Sequence, residues 1–224
     1  MSAITLTTDF GLDDEFVGVM KGVILTINPN VRIVDITHRI TPQDITTAAY
    51  SICAAYPYFP KGTVHVVVVD PGVGSSRAIV AVGLNGHVFV APDNGVLSLV
   101  LDGHTIDTIV QVTNDAFFVK PVSRTFHGRD IMAPVAGHLS RGIGIDRLGP
   151  AFPAKSLTRL PIEKATLMAN GALAGKVVMI DRFGNLITNI DTVALGALKA
   201  DYRALGIEIG VQQQRIQGLS ASYS

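Results

Sequence analysis

Thr63-Val64-His65-Val66-Val67-Val68-Val69-Asp70 is an almost unbroken β-branched run that ends in a carboxylate. It shows no apolar–polar alternation, so it reads as a strand covered on both faces, as in a mainly parallel sheet. Upstream, Ile4-Thr5-Leu6-Thr7-Thr8 is a second short β run, closed by Asp9-Phe10-Gly11. Asp13 and Asp14 then offer a helix N-cap, with Phe16, Val19, Met20, Val23 and Ile27 at helical spacing behind them. Asn28-Pro29-Asn30 stops that helix, and Val31–Thr37 is the next strand. Thr41 as cap with Pro42 in the first helical position predicts a helix running to about Tyr56.

Downstream of Asp70, the glycine-rich Pro71–Ser76 leads into two strands, Arg77–Gly83 and His87–Pro92, joined through Leu84-Asn85-Gly86. Asn-Gly between apolar runs is a strong hairpin signal. Gly95–Leu101 reads as a short helix, Thr105–Thr113 as a strand, and His127-Gly128-Arg129-Asp130 opens a last helix through about Ser140. This order implies an α/β fold: an N-terminal layered α/β domain with a mainly parallel sheet and helices on both faces. The stretch GPAFPAKSLTRLP, Gly149–Pro161, is rich in proline and lacks a period. The expected organisation is therefore an N-terminal domain over residues 1–155, a linker over 156–170 and a smaller C-terminal antiparallel β domain over 171–224.

Apolar residues make up 48% of the chain and charged residues 16%, enough for a sizeable core. Lys+Arg and Asp+Glu balance at 18 each, which supplies no electrostatic footprint for nucleic acid or an anionic membrane. Cys53 is the single cysteine, so neither an intrachain disulfide nor a cysteine metal cluster can form. That suits a reducing compartment. The start MSAITLTTDF lacks the charge and apolar pattern of a secretory signal, and the apolar runs are too short to span a bilayer. The expected location is the cytoplasm, with a small-molecule or protein partner.

Asp9 and Asp70 each end a predicted strand ahead of a glycine-containing turn. Either alone is ordinary turn chemistry. On two strands of one sheet, both would face the crevice where open α/β sheets bind ligands. The segment Asp70–Arg77 lacks the Gly-Lys-Ser/Thr ending of a phosphate loop, and its glycines suggest close approach of backbone to a ligand. From spacing alone, Arg77 reads as a surface arginine and His127 as a helix-start or surface residue. His38, His65, His87, His104 and His138 show no metal-ligand spacing and read as structural or exposed. Asp181 and Asn185 lie in a turn between β runs, where the Asn amide could read an adenine edge.

Together, TTDFGLDDEFVG (7–18), VVVVDPGVGSSR (66–77), VFVAPDNGVLS (88–98), TFHGRDIMAP (125–134) and IDRFGNLITNI (180–190) resemble the S-adenosyl-L-methionine hydroxide adenosyltransferase family, relatives of fluorinase and chlorinase. The pieces stand in the family's order over most of the chain, and the joint pattern is specific where each alone is weak. The resemblance implies an enzyme that hydrolyses S-adenosyl-L-methionine to adenosine and methionine, without a cofactor or resident metal. It also implies homotrimers whose sites lie between the N-terminal domain of one subunit and the C-terminal domain of its neighbour. Asp9 would hold the ribose hydroxyls, and Asp14 would lie in the adjacent nucleoside-contacting loop. Asn185 would read adenine and Asp181 the methionine ammonium. Asp70, Arg77 and His127 match the family's water-handling triad. Members usually continue into a Ser/Gly-rich strand that contacts adenine and the methionine carboxylate, and those contacts fall on no residue of this sequence.

The halogenating relatives replace the acid at the position of Asp70, and fluorinase carries a long insertion after the strand holding Arg77. Here the aspartate is present and Arg77–Pro92 runs through a tight hairpin. A carboxylate beside the reacting carbon repels halide and accepts a hydrogen bond from water. Three other readings stand beside hydrolysis. One is a halogenase, and one is a non-catalytic binder of adenosine or S-adenosyl-L-methionine. The third is a metal-dependent phosphoesterase built from Asp9, Asp13, Asp14, Asp93 and His127, against which hard-metal sites usually show denser ligand sets.

Overall fold

The computed structural model describes residues 3–196, 198 and 207–218. The chain forms two compact units, Met1–Ile162 and Glu163–Ser224. In the first, β1 (Ala3–Thr8), α1 (Phe16–Ile27), β2 (Arg32–Thr37), α2 (Ile45–Ala55) and β3 (Val64–Val68) alternate. They are followed by β4 (Ile79–Leu84), β5 (His87–Pro92), α3 (Ser98–Leu101) and β6 (Thr108–Gln111). A π-helical turn, Gly128–Met132, then runs directly into α4 (Ala133–Ser140).

The six strands make one sheet in the order β2-β1-β3-β5-β4-β6. β1 pairs parallel with β2 and β3, β3 pairs parallel with β5, and only β4 runs against its neighbours. The valine run behaves as its composition requires, with all five residues of β3 buried. Val64, Val66 and Val68 join the core beneath α1 and α4, while Val67 and Val69 join the core beneath α2 and α3. This period of two splits one strand between two cores, and each buried valine contributes about 1.5–3 kcal/mol. The three-layer arrangement expected from the sequence is thus present. The β4–β5 hairpin turns through Asn85 and Gly86, both at positive φ (52° and 80°), as a type I′ turn demands.

Two helix starts differ from expectation. α1 begins at Phe16 behind Glu15 with no side-chain cap, and Asp13 and Asp14 stand exposed ahead of it. α2 is capped by Asp44, whose carboxylate accepts the Thr47 N–H at 2.9 Å, and not by Thr41. Gln43 has φ of +67°, a left-handed conformation no helix interior tolerates, so Thr41 and Pro42 are left in a turn before the helix. Beyond residue 155 the chain stays on the first unit: the Thr158 N–H reaches Asp93 Oδ1 at 2.9 Å and the Leu160 N–H reaches Ser98 Oγ at 2.8 Å.

The second unit contains short antiparallel pairs, β7 (Thr166–Leu167) with β8 (Leu173–Ala174), β9 (Val177–Ile180) with β10 (Leu186–Thr188), and β11 (Glu208–Val211) with β12 (Gln214–Gln217). One short helix, α5 (Thr192–Gly196), lies among them. The mostly β character expected of the tail is present in these pairs. The start of the strand expected around Tyr202 lies outside the described residues.

A buried imidazole pair marks the α2 side of the sheet. His65 Nδ1 lies 2.8 Å from Thr5 Oγ1, its Nε2 lies 3.2 Å from His87 Nδ1, and its ring stacks on Phe89. Burial, followed by the neighbouring His87, pushes the pKa of His65 down to about 3. A histidine that protonates more readily in the unfolded chain favours unfolding as the pH falls below its unfolded value of about 6.5. His65 alone should therefore cost about 2 kcal/mol of stability between pH 7 and pH 5. Urea unfolding at the two pH values measures this, and His65→Asn, which cannot titrate, should show a correspondingly smaller loss.

Candidate active site

β1 is the point where the sheet reverses its winding. The chain leaves β1 for β2 on one side, then crosses through α2 to β3 on the other. Crevices open at the carboxyl ends of strands flanking such a reversal. Asp9 follows β1 and Asp70 follows β3 by two residues, and both line one cleft of about 400 Å³.

Asp70 is held by Arg77. The guanidinium Nε donates to Asp70 Oδ1 at 2.9 Å and Nη2 donates to Oδ2, a bidentate pair whose side chains are only 5% and 11% exposed. Removing one member of a pair this buried would strand the other's charge. Arg77 reaches back because the 70–76 loop is folded on itself by Val73 N–H to Asp70 O and Ser75 N–H to Gly72 O. Gly74, at φ +77°, lies where a Cβ would sit 2.3 Å from the Arg124 carbonyl, so only glycine lets this loop press against the segment leading to His127. Asn94, on the far side, donates to the Val69 carbonyl at 2.8 Å and steadies the end of the strand.

Arg77 Nη2 also lies 2.9 Å from His127 Nδ1. A guanidinium has no lone pair to offer, so Nδ1 is the acceptor and the proton of the neutral ring resides on Nε2. Burial and then the Arg77 charge lower the pKa of His127, against the opposing pull of Asp70, Asp130 and the Ser123 backbone. The ring is thus neutral near pH 7. Its loop is fixed from beneath by Asp130, which is fully buried and accepts from the Ser123 N–H at 2.8 Å and from Arg129.

Asp9 accepts the Gln43 N–H at 2.8 Å through Oδ2. Above it, Phe10, Phe16 and Phe126 meet edge-on or tilted with ring centroids 5.3–5.7 Å apart, and all three line the cleft. The sequence pattern places Phe16 on the apolar stripe of α1. It is 38% exposed instead because it heads the helix at the mouth of the cleft. Of the residues singled out from the sequence, Asp9, Asp70, Arg77 and His127 come together here. Arg77 is no surface arginine. Asp14 stands exposed in the turn before α1 and does not line the cleft. Asp181 and Asn185 belong to the second unit and bond each other: Asn185 Nδ2 donates to Asp181 Oδ2 at 2.6 Å, and the Phe183 and Asn185 N–H groups donate to Oδ1 at 2.8 Å. Those bonds, the Asn185 side chain first, hold the Asp181 pKa below the usual range.

The acids proposed for a metal centre do not converge. Asp93 is engaged by Thr158, and Asp13 and Asp14 are exposed. Among the described residues no three His, Cys, Asp or Glu side chains are placed to hold a metal ion. Phe10, Phe16, Asn94, Phe126 and Asp130 lie inside the family-like segments but are assigned no role there, and Gln43 lies in none of them. A turn proline before Gln43 and the charge pair Arg129-Asp130 beside His127 were the available signals.

The family model for the N-terminal domain of SAM hydroxide adenosyltransferases matches residues 4–149, and that for the C-terminal domain matches residues 175–224. A protein from Salinispora tropica named (R)-S-adenosyl-L-methionine hydrolase is 40% identical over 186 residues, 82% of this chain and 70% of that protein. A fluorinase from an Actinoplanes species is 30% identical over 211 residues, 84% of this chain and 71% of that protein. Among solved structures, an uncharacterized conserved protein from Thermotoga maritima superposes with a TM-score of 0.90 at 36% identity, covering 99% of this chain and 83% of that one. On the motifs, the fold and these matches, the chain belongs to the SAM hydroxide adenosyltransferase family.

Proposed function

We propose that this protein is an S-adenosyl-L-methionine hydrolase, forming adenosine and L-methionine by in-line attack of water on the ribose 5′ carbon. The observation that carries this reading is Asp70 at the head of the cleft, held by Arg77 and accompanied by a neutral His127. Relatives named hydrolase are nearer in sequence than those named fluorinase, at 40% against 30% identity.

The chemistry asks for little beyond placement. As the new C–O bond forms, the C5′–S electron pair moves onto sulfur, and the sulfonium becomes a neutral thioether that needs no proton. Charge disappears from the substrate, which the aromatic side of the cleft, formed by Phe10, Phe16 and Phe126, favours. Water is the weak partner and must be oriented and relieved of one proton. Asp70 is the acceptor: each of its oxygens is bonded to Arg77, yet each keeps a lone pair. His127 has Nδ1 occupied by Arg77, so it offers Nε2–H and serves as an orienting donor rather than the base. A carboxylate at this point disfavours a halide nucleophile by repulsion.

In the same reading Asp9 binds the ribose hydroxyls, Asp14 lies in the neighbouring nucleoside loop, Asn185 reads adenine and Asp181 takes the methionine ammonium. The assembly is a homotrimer with sites shared between subunits. Ile180 and Phe183, 63% and 90% exposed beside Asp181, are apolar side chains that a neighbouring surface would cover. Among the described residues no helix is long and apolar enough to cross a membrane. A cytoplasmic location fits the lone, half-buried Cys53.

Incubation with S-adenosyl-L-methionine should yield adenosine and methionine in equal amounts, unchanged by a chelator or by added chloride. A 5′-chlorinated nucleoside would establish a halogenase, and binding without products would leave only a binder. Asp70→Asn should lower kcat by about two to four powers of ten with KM little altered. His127→Ala should lower kcat by less, because orientation is lost and the proton acceptor stays. Equal losses in the two variants would make His127 the base.

A further inference from the structure

Among the described residues, Gln43 is the one non-glycine residue in left-handed backbone that touches the cleft, with φ +67°. It occupies the third position of the turn Thr41-Pro42-Gln43-Asp44, closed by the Asp44 N–H to Thr41 O at 2.9 Å. Proline second and positive φ third define a type II turn, a site that ordinarily takes glycine or asparagine. Glutamine has no such excuse, and its side chain is exposed.

What the strained turn provides is a peptide orientation. Type I and type II turns differ by a flip of the central peptide, here Pro42–Gln43. In the observed form its N–H points at Asp9 Oδ2 at 2.8 Å. In the flipped form the Pro42 carbonyl would take that place and face the carboxylate, acceptor against acceptor. The turn is anchored on both sides. Asp44 caps α2, and the β1 end is tied to the β2 end by Thr8 Oγ1 at 2.8 Å from His38 Nδ1 and by the Gly11 N–H to the His38 carbonyl at 2.7 Å.

We propose that the Pro42–Gln43 peptide is a positioning element that fixes the rotation of the Asp9 carboxylate and so sets recognition of the vicinal hydroxyls of a ribonucleoside. This rests on the ribose-binding role given to Asp9 above. With Oδ2 engaged by the turn, Oδ1 meets no protein donor among the described residues and is left for the sugar. The contribution lies in the backbone of residue 43, not in its side chain.

The test compares the dissociation constants of adenosine and 2′-deoxyadenosine by calorimetry, in the wild-type protein and four variants. Gln43→Gly and Gln43→Asn tolerate positive φ and should keep the wild-type preference for adenosine within about twofold. Gln43→Val disfavours that conformation and Gln43→Pro also removes the donor; both should reduce the preference at least fivefold while thermal melting shows a folded protein. Should the proline variant fail to fold, the valine variant carries the comparison. A preference that survives in the valine or proline variant overturns the role of the turn. A wild-type protein with no preference overturns the ribose reading of Asp9 and this inference with it, whereas a wild-type preference with no hydrolysis separates the two.

Discussion

One arginine holds two elements of the cleft that arrive from far apart in the chain. Asp70 ends the central strand, His127 opens the π-helical turn before α4, and Arg77 donates to both. Because a guanidinium has fixed donors in a plane, this single contact settles the orientation of the carboxylate and the tautomer of the ring together. It also keeps a buried aspartate compensated, without which the end of β3 would carry an unpaired charge among valines. The surrounding loops serve this geometry: Gly74 lets the arginine loop lie against the 123–127 segment, and buried Asp130 holds that segment from below.

Much of the architecture could be read from local pattern. The valine run declared a strand buried on both faces, and Asn85-Gly86 declared its hairpin, because each depends on side chains within a few residues. Asp9 and Asp70 followed from placing two such strands in one sheet. Arg77 could not be read from spacing, since its partner choice depends on how a six-residue loop folds back. The caps of α1 and α2 were misplaced for a similar reason. Several residues could cap each helix, and the positive φ of Gln43, a tertiary outcome, decided where α2 starts. Phe16 shows the limit of periodicity: the pattern marks an apolar stripe, but not which end of the stripe meets a cleft instead of a core. The family motifs contain Asp9, Asp70, Arg77 and His127 but reveal none of the contacts among them.

The electrostatic design is economical in charge. The cleft is lined by Asp9, Asp70 and a neutral imidazole, with Arg77 bonded to the last two, and the rest of its wall is largely aromatic and aliphatic. Such a wall leaves few competing dipoles near the Asp70 carboxylate. The histidines divide accordingly: His127 lines the cleft, whereas His65 and His87 are buried together in the α2 side of the sheet, with His65 also bonded to Thr5 and stacked on Phe89.

β4 is the strand that runs against the rest, and its direction has a kinetic consequence. A parallel successor to β3 would have required a crossover of a dozen or more residues, placing any cation at its start far along the chain. The antiparallel turn brings Arg77 back after seven residues, so its contact with Asp70 closes a very short loop. His127 lies 50 residues further on and joins only when α4 docks beside α1. The ion pair therefore depends on a short local loop, whereas the imidazole joins it only once the core around α4, with Met132, Val135 and Ala136 fully buried, has assembled.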